Sequence, residues 1–249
     1  MSALALDSIP TLWRASELGR SAPTVVGSGF AALDAELPGG GWPAGQLTEV
    51  LQPVAGWREW RLLGPALAGL ALRGSVFLVG PPMAPCLPAL AAQGLRPESL
   101  CWVRAQSAAQ RQWAAEQGLR CRDLSAMLVW LPSTSSQALR RLHLAAQSGH
   151  QAEPPLLWVL RPWPAQQQAS PAVLRLGLRG GADDGLELHL FKRRGPGLTH
   201  PIWLDAPRPA ALRPRPESPA AASGMPLRPL GPDLRRHHVV DRTAAGHGA

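Results

Sequence analysis

Residues 28–58, SGFAALDAELPGGGWPAGQLTEVLQPVAGWR, constrain this chain more than any other stretch. Pro38 fixes φ, and Gly39, Gly40 and Gly41 admit positive φ, so the backbone must reverse there before the next element begins. Residues 47–51 (LTEVL) follow as a short apolar run whose β-branched Thr48 and Val50 suit a strand. That strand runs directly into a loop at residues 52–59. Beyond the loop, residues 60–72 (WRLLGPALAGLAL) read as a helix kinked or restarted at Gly64-Pro65.

The same alternation continues downstream. Residues 75–79, 100–103, 126–131 and 156–160 are short apolar runs bounded by turns, and helix-like segments at 85–94, 106–117 and 137–147 separate them. Strand, helix, strand at this spacing predicts βαβ units and a parallel sheet. In residues 137–147, Leu139, Leu142 and Ala146 share one face and Arg140 and Arg141 the other, with the serines of PSTSS (132–136) placed to cap the start. His143 reads as an exposed or half-buried helix residue rather than a metal ligand. Residues 173–178 and 186–193 alternate as an antiparallel hairpin, with Leu186, Leu188 and Leu190 facing the core and Glu187, His189 and Phe191 turned away.

Composition bounds the rest. A chain of 249 residues with 45% hydrophobic residues supports one large α/β domain plus tails: an N-terminal arm or helix at 1–24, a core at 25–207 and a disordered, basic, Pro/Ala/Arg-rich tail at 208–249. Within the tail, residues 227–234 are the part apolar enough to carry a binding motif. No uninterrupted apolar stretch is long enough to span a membrane and the N-terminus lacks a signal pattern, so a soluble, cytoplasmic protein with no membrane contact is expected. Cys86, Cys101 and Cys121 share no CxxC spacing and read as reduced, mostly buried thiols. The formal charge of +8 is carried by arginine, with Lys192 the single lysine, and core packing is expected to account for most of the ten tryptophans. Lys192, Arg193 and Arg194 form the densest basic cluster in the core. Single-stranded DNA, a neighbouring protomer, a partner protein or simply solvent could face it.

The opening stretch resembles the segment that leads into the Walker A loop of RecA-type recombinases, with Gly29, Leu33, Asp34, Leu37, Gly39, Gly40, Gly41, Pro43, Gly45 and Glu49 in register. The resemblance implies a RecA-like α/β core: a mostly parallel sheet flanked by helices, ending in a C-terminal antiparallel hairpin. A P-loop needs glycines for close backbone approach to phosphate, a lysine for its charge and a hydroxyl for magnesium. Here Gln52 stands at the first glycine, Pro53 is kept, Gly56 is one position early, Trp57 stands at the second glycine, Arg58 at the lysine and Glu59 at the hydroxyl. Matching RecA-like ATPases further puts Gln106 at the catalytic glutamate, Trp130, Leu131 and Pro132 where a Walker B aspartate would end its strand, and Arg161 and Pro162 at the Asn-Gln nucleotide sensor. No catalytic residue, cofactor or metal is therefore expected, although Arg58 remains a candidate anion contact.

The segments VRAQSAAQRQWAAEQGLR, LRRLHLAAQSG, LRLGLRGG and LELHLFKRRGPG, taken with the opening stretch, resemble the ImuA family of RecA/SulA-like proteins over most of residues 25–205. That resemblance implies an accessory, non-catalytic role in damage-induced (SOS) translesion DNA synthesis and mutagenesis. It implies action with an ImuB-like Y-family polymerase homologue and extends to RecA and an error-prone C-family polymerase. Two other readings stay open: a SulA-like cell-division inhibitor, and a divergent RecA-type DNA-dependent ATPase using Arg58.

Overall fold

The computed structural model describes residues 24–56, 58–148, 153–181 and 185–206. The expected arm, except Thr24, and the expected tail with its 227–234 motif lie outside the described residues. Val25–Val26 (β1) pairs antiparallel with Trp42–Pro43 (β2), and the short helix Ala31–Asp34 (α1) lies between them in sequence. The predicted reversal is in place, with Gly39 and Gly40 at φ 83° and 81°. Leu47–Gln52 (β3) follows, buried along its whole length.

From there helices and strands alternate: Arg58–Leu70 (α2), Ser75–Val79 (β4), Leu87–Ala91 (α3), Leu100–Val103 (β5), Ala108–Gly118 (α4), Leu124–Trp130 (β6), Ser136–Gln147 (α5) and Leu156–Pro162 (β7). Leu174–Gly180 (β8), Leu186–Lys192 (β9) and Ile202–Leu204 (β10) close the described core. The eight-stranded sheet runs β10-β9-β8-β3-β7-β6-β4-β5. Strands β8 through β5 in this order are parallel, and β9 and β10 add antiparallel. This is the expected fold class, an α/β sheet that is mostly parallel with a C-terminal antiparallel hairpin, and it is consistent with a RecA-like fold.

Because successive strand residues point to opposite faces, a strand covered by helices on both sides must be apolar throughout. One face packs Val50, Leu78, Leu128 and Trp158 against Leu33 and Leu37 near α1 and against Leu62, Leu63 and Leu67 of α2. Trp42 meets Trp158 edge-on there, with ring centroids 5.7 Å apart. The other face packs Leu47, Met127, Val129, Leu157 and Val159 against α4 and α5, where Leu139, Leu142 and Ala146 turn inward as their spacing predicts. Ser135 caps α5 by accepting from the Ala138 N–H, and Ser107 with Gln110 forms a capping box at α4. No helix among the described residues is long and apolar enough to cross a membrane.

Three expectations change. Of the kink or restart expected at Gly64-Pro65 the restart is absent: α2 is continuous through Pro65, with the leucines at 62, 63 and 67 on both sides of it buried against the sheet. The thiols are not mostly buried: Cys86 precedes α3 and Cys101 lies on the edge strand β5, both exposed, and Cys121 is half-buried. Of the eight described tryptophans, Trp42, Trp130 and Trp158 are buried and Trp60 packs against the same core partly buried, while Trp102, Trp113 and Trp203 are exposed, so core packing explains half and not most.

His143, half-buried on α5, accepts the Leu47 N–H at its Nδ1, 3.2 Å away, at the start of β3. Burial first, then the nearby Lys192 and Arg140 charges, holds its pKa below the ordinary value near 6.5. Below that value the unfolded chain takes up a proton that the folded chain refuses, so stability is complete above about pH 6.5 and falls as the pH drops through the lowered value. Urea unfolding at pH 7.5 and pH 5 should show this loss in the wild type and a smaller one in His143→Ala. At pH 7.5 the same variant should be about 1 kcal/mol less stable, because it lacks that hydrogen bond. An equal pH dependence in both proteins would contradict the assignment.

Candidate functional site

The loop that leaves β3 turns on a carboxylate. Gln52 ends the strand buried, Pro53 is exposed, Trp57 lies outside the described residues, and Arg58 opens α2 with Glu59 behind it. Glu59 is fully buried, and its Oε1 accepts the Gly56 N–H at 2.8 Å and the Trp130 Nε1–H at 3.1 Å. A helix N-terminus offers unpaired N–H groups and a positive dipole end, and so draws anions. Here the chain's own side chain supplies the negative charge. The Arg58 guanidinium lies over β8, where a β-carbon on Gly180 would sit 2.9 Å from its Nη2.

The Glu59–Trp130 bond joins the position at which the RecA resemblance expects the magnesium hydroxyl to the first of the three residues, Trp130, Leu131 and Pro132, at the strand end where it expects the Walker B carboxylate. Gln106, at the expected glutamate, is exposed and its backbone N–H donates to Gln110 Oε1 at 2.9 Å. Among the described residues no three His, Cys, Asp or Glu side chains come together as a metal site would require.

Arg161, at the sensor position, turns instead into the sheet. Glu49 on β3 stands beside Arg175 on β8 in register, and Arg161 on β7 stands beside Leu51. Glu49 Oε1 accepts from Arg161 Nη1 at 2.9 Å and Oε2 from Arg175 Nε at 2.5 Å, with all three side chains buried. The turn at Trp163–Gln167 finishes the cluster: Arg175 donates to the Ala165 carbonyl at 2.8 Å, and Arg161 donates to Gln168 Oε1 at 2.6 Å. Sequence reading noted Glu49 but missed Arg175. An arginine inside the otherwise apolar LRLGL was the available signal, since a buried strand carries such a residue only when it is paired.

Lys192, Arg193 and Arg194 do come together, at the other end of the sheet from the 52–59 loop, because β9 runs antiparallel to β8. They line a groove of about 410 Å³ with Gln46, Pro171 and Leu174. Arg193 is tied down, its Nη1 donating to Glu36 Oε2 at 2.7 Å and to the Glu36 carbonyl at 2.6 Å. Lys192 donates to the Ser170 carbonyl at 3.2 Å from an exposed position, and Arg194 is exposed. On the neighbouring face Trp163 meets Phe191 edge-on at 5.4 Å, with the Arg179 guanidinium 4.0 Å over the indole. Trp203 of β10 stands exposed nearby against Gly181. Sequence reading picked out Phe191 but not this aromatic cluster. Compared with known proteins, the chain matches no protein-family model and no curated protein.

Proposed function

We propose that this chain is a RecA-like accessory protein of damage-induced translesion DNA synthesis, acting in the cytoplasm through protein and DNA contacts rather than through nucleotide turnover. One observation carries the reading: Glu59 and Trp130, at the positions where a RecA-type ATPase would hold magnesium, are hydrogen-bonded to each other at 3.1 Å. Glu59 also accepts the Gly56 N–H in the loop. A β/γ-phosphate entering there would meet a buried carboxylate in place of a lysine and a hydroxyl. The ImuA resemblance supplies the partner: an ImuB-like polymerase homologue, with RecA and the error-prone C-family polymerase as further candidates.

Two assays test this. The purified full chain is expected to neither bind nor hydrolyse ATP, with or without single-stranded DNA, and DNA-stimulated turnover would restore the motor reading. Coexpressed with an ImuB-like protein it is expected to co-elute on size exclusion, and separate elution would remove the adaptor role. The basic groove makes a narrower prediction. Lys192→Ala with Arg194→Ala, leaving the structural Arg193 in place, should weaken single-stranded DNA binding and flatten its salt dependence by roughly 0.7 for each phosphate no longer neutralised. Unchanged binding would remove the groove as a DNA site.

A further inference from the structure

The C-terminal ends of β3, β6 and β7 enclose a cleft of about 300 Å³. Gln52, Arg111 and Arg161 line it, with apolar walls that include Pro53, Pro132 and Pro162. Open parallel sheets place their ligands beyond these strand ends. We propose that this cleft binds a small oxyanion, the carboxylate or phosphate-monoester head of a compact organic ligand, between Gln52, Arg111 and Arg161.

Unused hydrogen-bonding capacity is the first argument. Gln52 is 2% exposed, yet both its Oε1 and its Nε2 lack a partner among the described residues. Arg161 is 3% exposed, and its Nε lacks one as well. Folded proteins pair the large majority of their buried polar atoms, so three such atoms on two residues of one cleft mark a missing partner. Nε2 and Nε require an acceptor, and Oε1 requires a donor.

Charge is the second argument. The buried cluster beneath the cleft sets two guanidinium groups, Arg161 and Arg175, against the single carboxylate of Glu49, leaving one positive charge in excess. Arg111 adds another: it donates to the Ala105 carbonyl at 3.0 Å and the Trp130 carbonyl at 3.2 Å, neither of which neutralises it. Glu59, whose Oε1 accepts from Gly56 and Trp130 and whose Oε2 lacks a partner among the described residues, offsets one of these charges, so the groups around the cleft keep one positive charge in excess. Two guanidinium groups in a partly apolar cleft select an oxyanion. The volume leaves room for about ten water-sized groups, enough for the anion and a small apolar body. This site is separate from the helix start that Glu59 fills, and it does not depend on the translesion reading.

Thermal unfolding of the full chain with inorganic phosphate or acetate, against chloride at matched ionic strength, tests the proposal. One of the two anions should raise the wild-type Tm saturably, by roughly 5 °C or more near 100 times its Kd, and which one does so separates phosphate from carboxylate chemistry. Gln52→Met should raise the ligand-free Tm, because an orphaned amide is replaced by an apolar side chain of similar size, and should lose the anion-dependent rise. Arg111→Gln should also lose that rise. In the wild type, the Gln52 side-chain amide resonances should shift along the same titration. A wild-type Tm indifferent to both anions would overturn the proposal. So would variants that respond as the wild type does, or an amide signal that stays still.

Discussion

Glu49→Gln is expected to remove about 3–5 kcal/mol of folding stability, a large share of the roughly 5–15 kcal/mol that holds a domain of this kind together. Glu49 sits at the middle of the central strand and accepts from two guanidinium groups on the strands either side. Neutralising it leaves Arg161 and Arg175 charged and buried without their shared counter-ion. Urea unfolding followed by far-ultraviolet circular dichroism should show an earlier midpoint with an unchanged slope. Replacing all three residues by apolar ones of similar volume should recover much of the loss, because such cores tolerate removal of the whole ionic set better than removal of one member. A loss below about 1 kcal/mol for the single variant would mean that the cluster is solvated rather than buried.

Gly29→Ala is expected to destabilise the chain by roughly 2–6 kcal/mol. Two effects add. The residue sits at φ +85°, where a β-carbon strains the backbone, and that β-carbon would lie 2.4 Å from Cβ of Pro65. Pro65 is inside α2, whose buried leucines pin it to the sheet, so the ring cannot yield without moving the helix. Differential scanning calorimetry measures the effect directly. A Tm within about 1 °C of wild type would show that the opening segment and α2 are not in contact.

These two residues show different degrees of legibility. Gly29 was legible as a member of the opening pattern, but its φ of +85° and its contact with Pro65 were not. The strands and helices were legible because alternation, capping serines and apolar runs act over a few residues, and β4 and β5 fall at the expected boundaries. Strand β10 was not legible, since three residues after a Gly/Pro-rich stretch carry too little periodicity to signal a strand. Arg193 looked like part of a free basic cluster, and its tie to Glu36, 157 positions away, was invisible.

What the sequence determined by itself is the fold class and the alternation of strands and helices. The fold alone decided what the side chains at the strand ends and in the sheet meet. Glu59 meets Trp130 across 71 positions, and Glu49 meets Arg161 and Arg175 across 112 and 126. Such meetings depend on strand order and register, which are set by how helices cross over the sheet and not by any neighbour in sequence. Local propensities act along the chain, whereas a buried charge finds its partner across it.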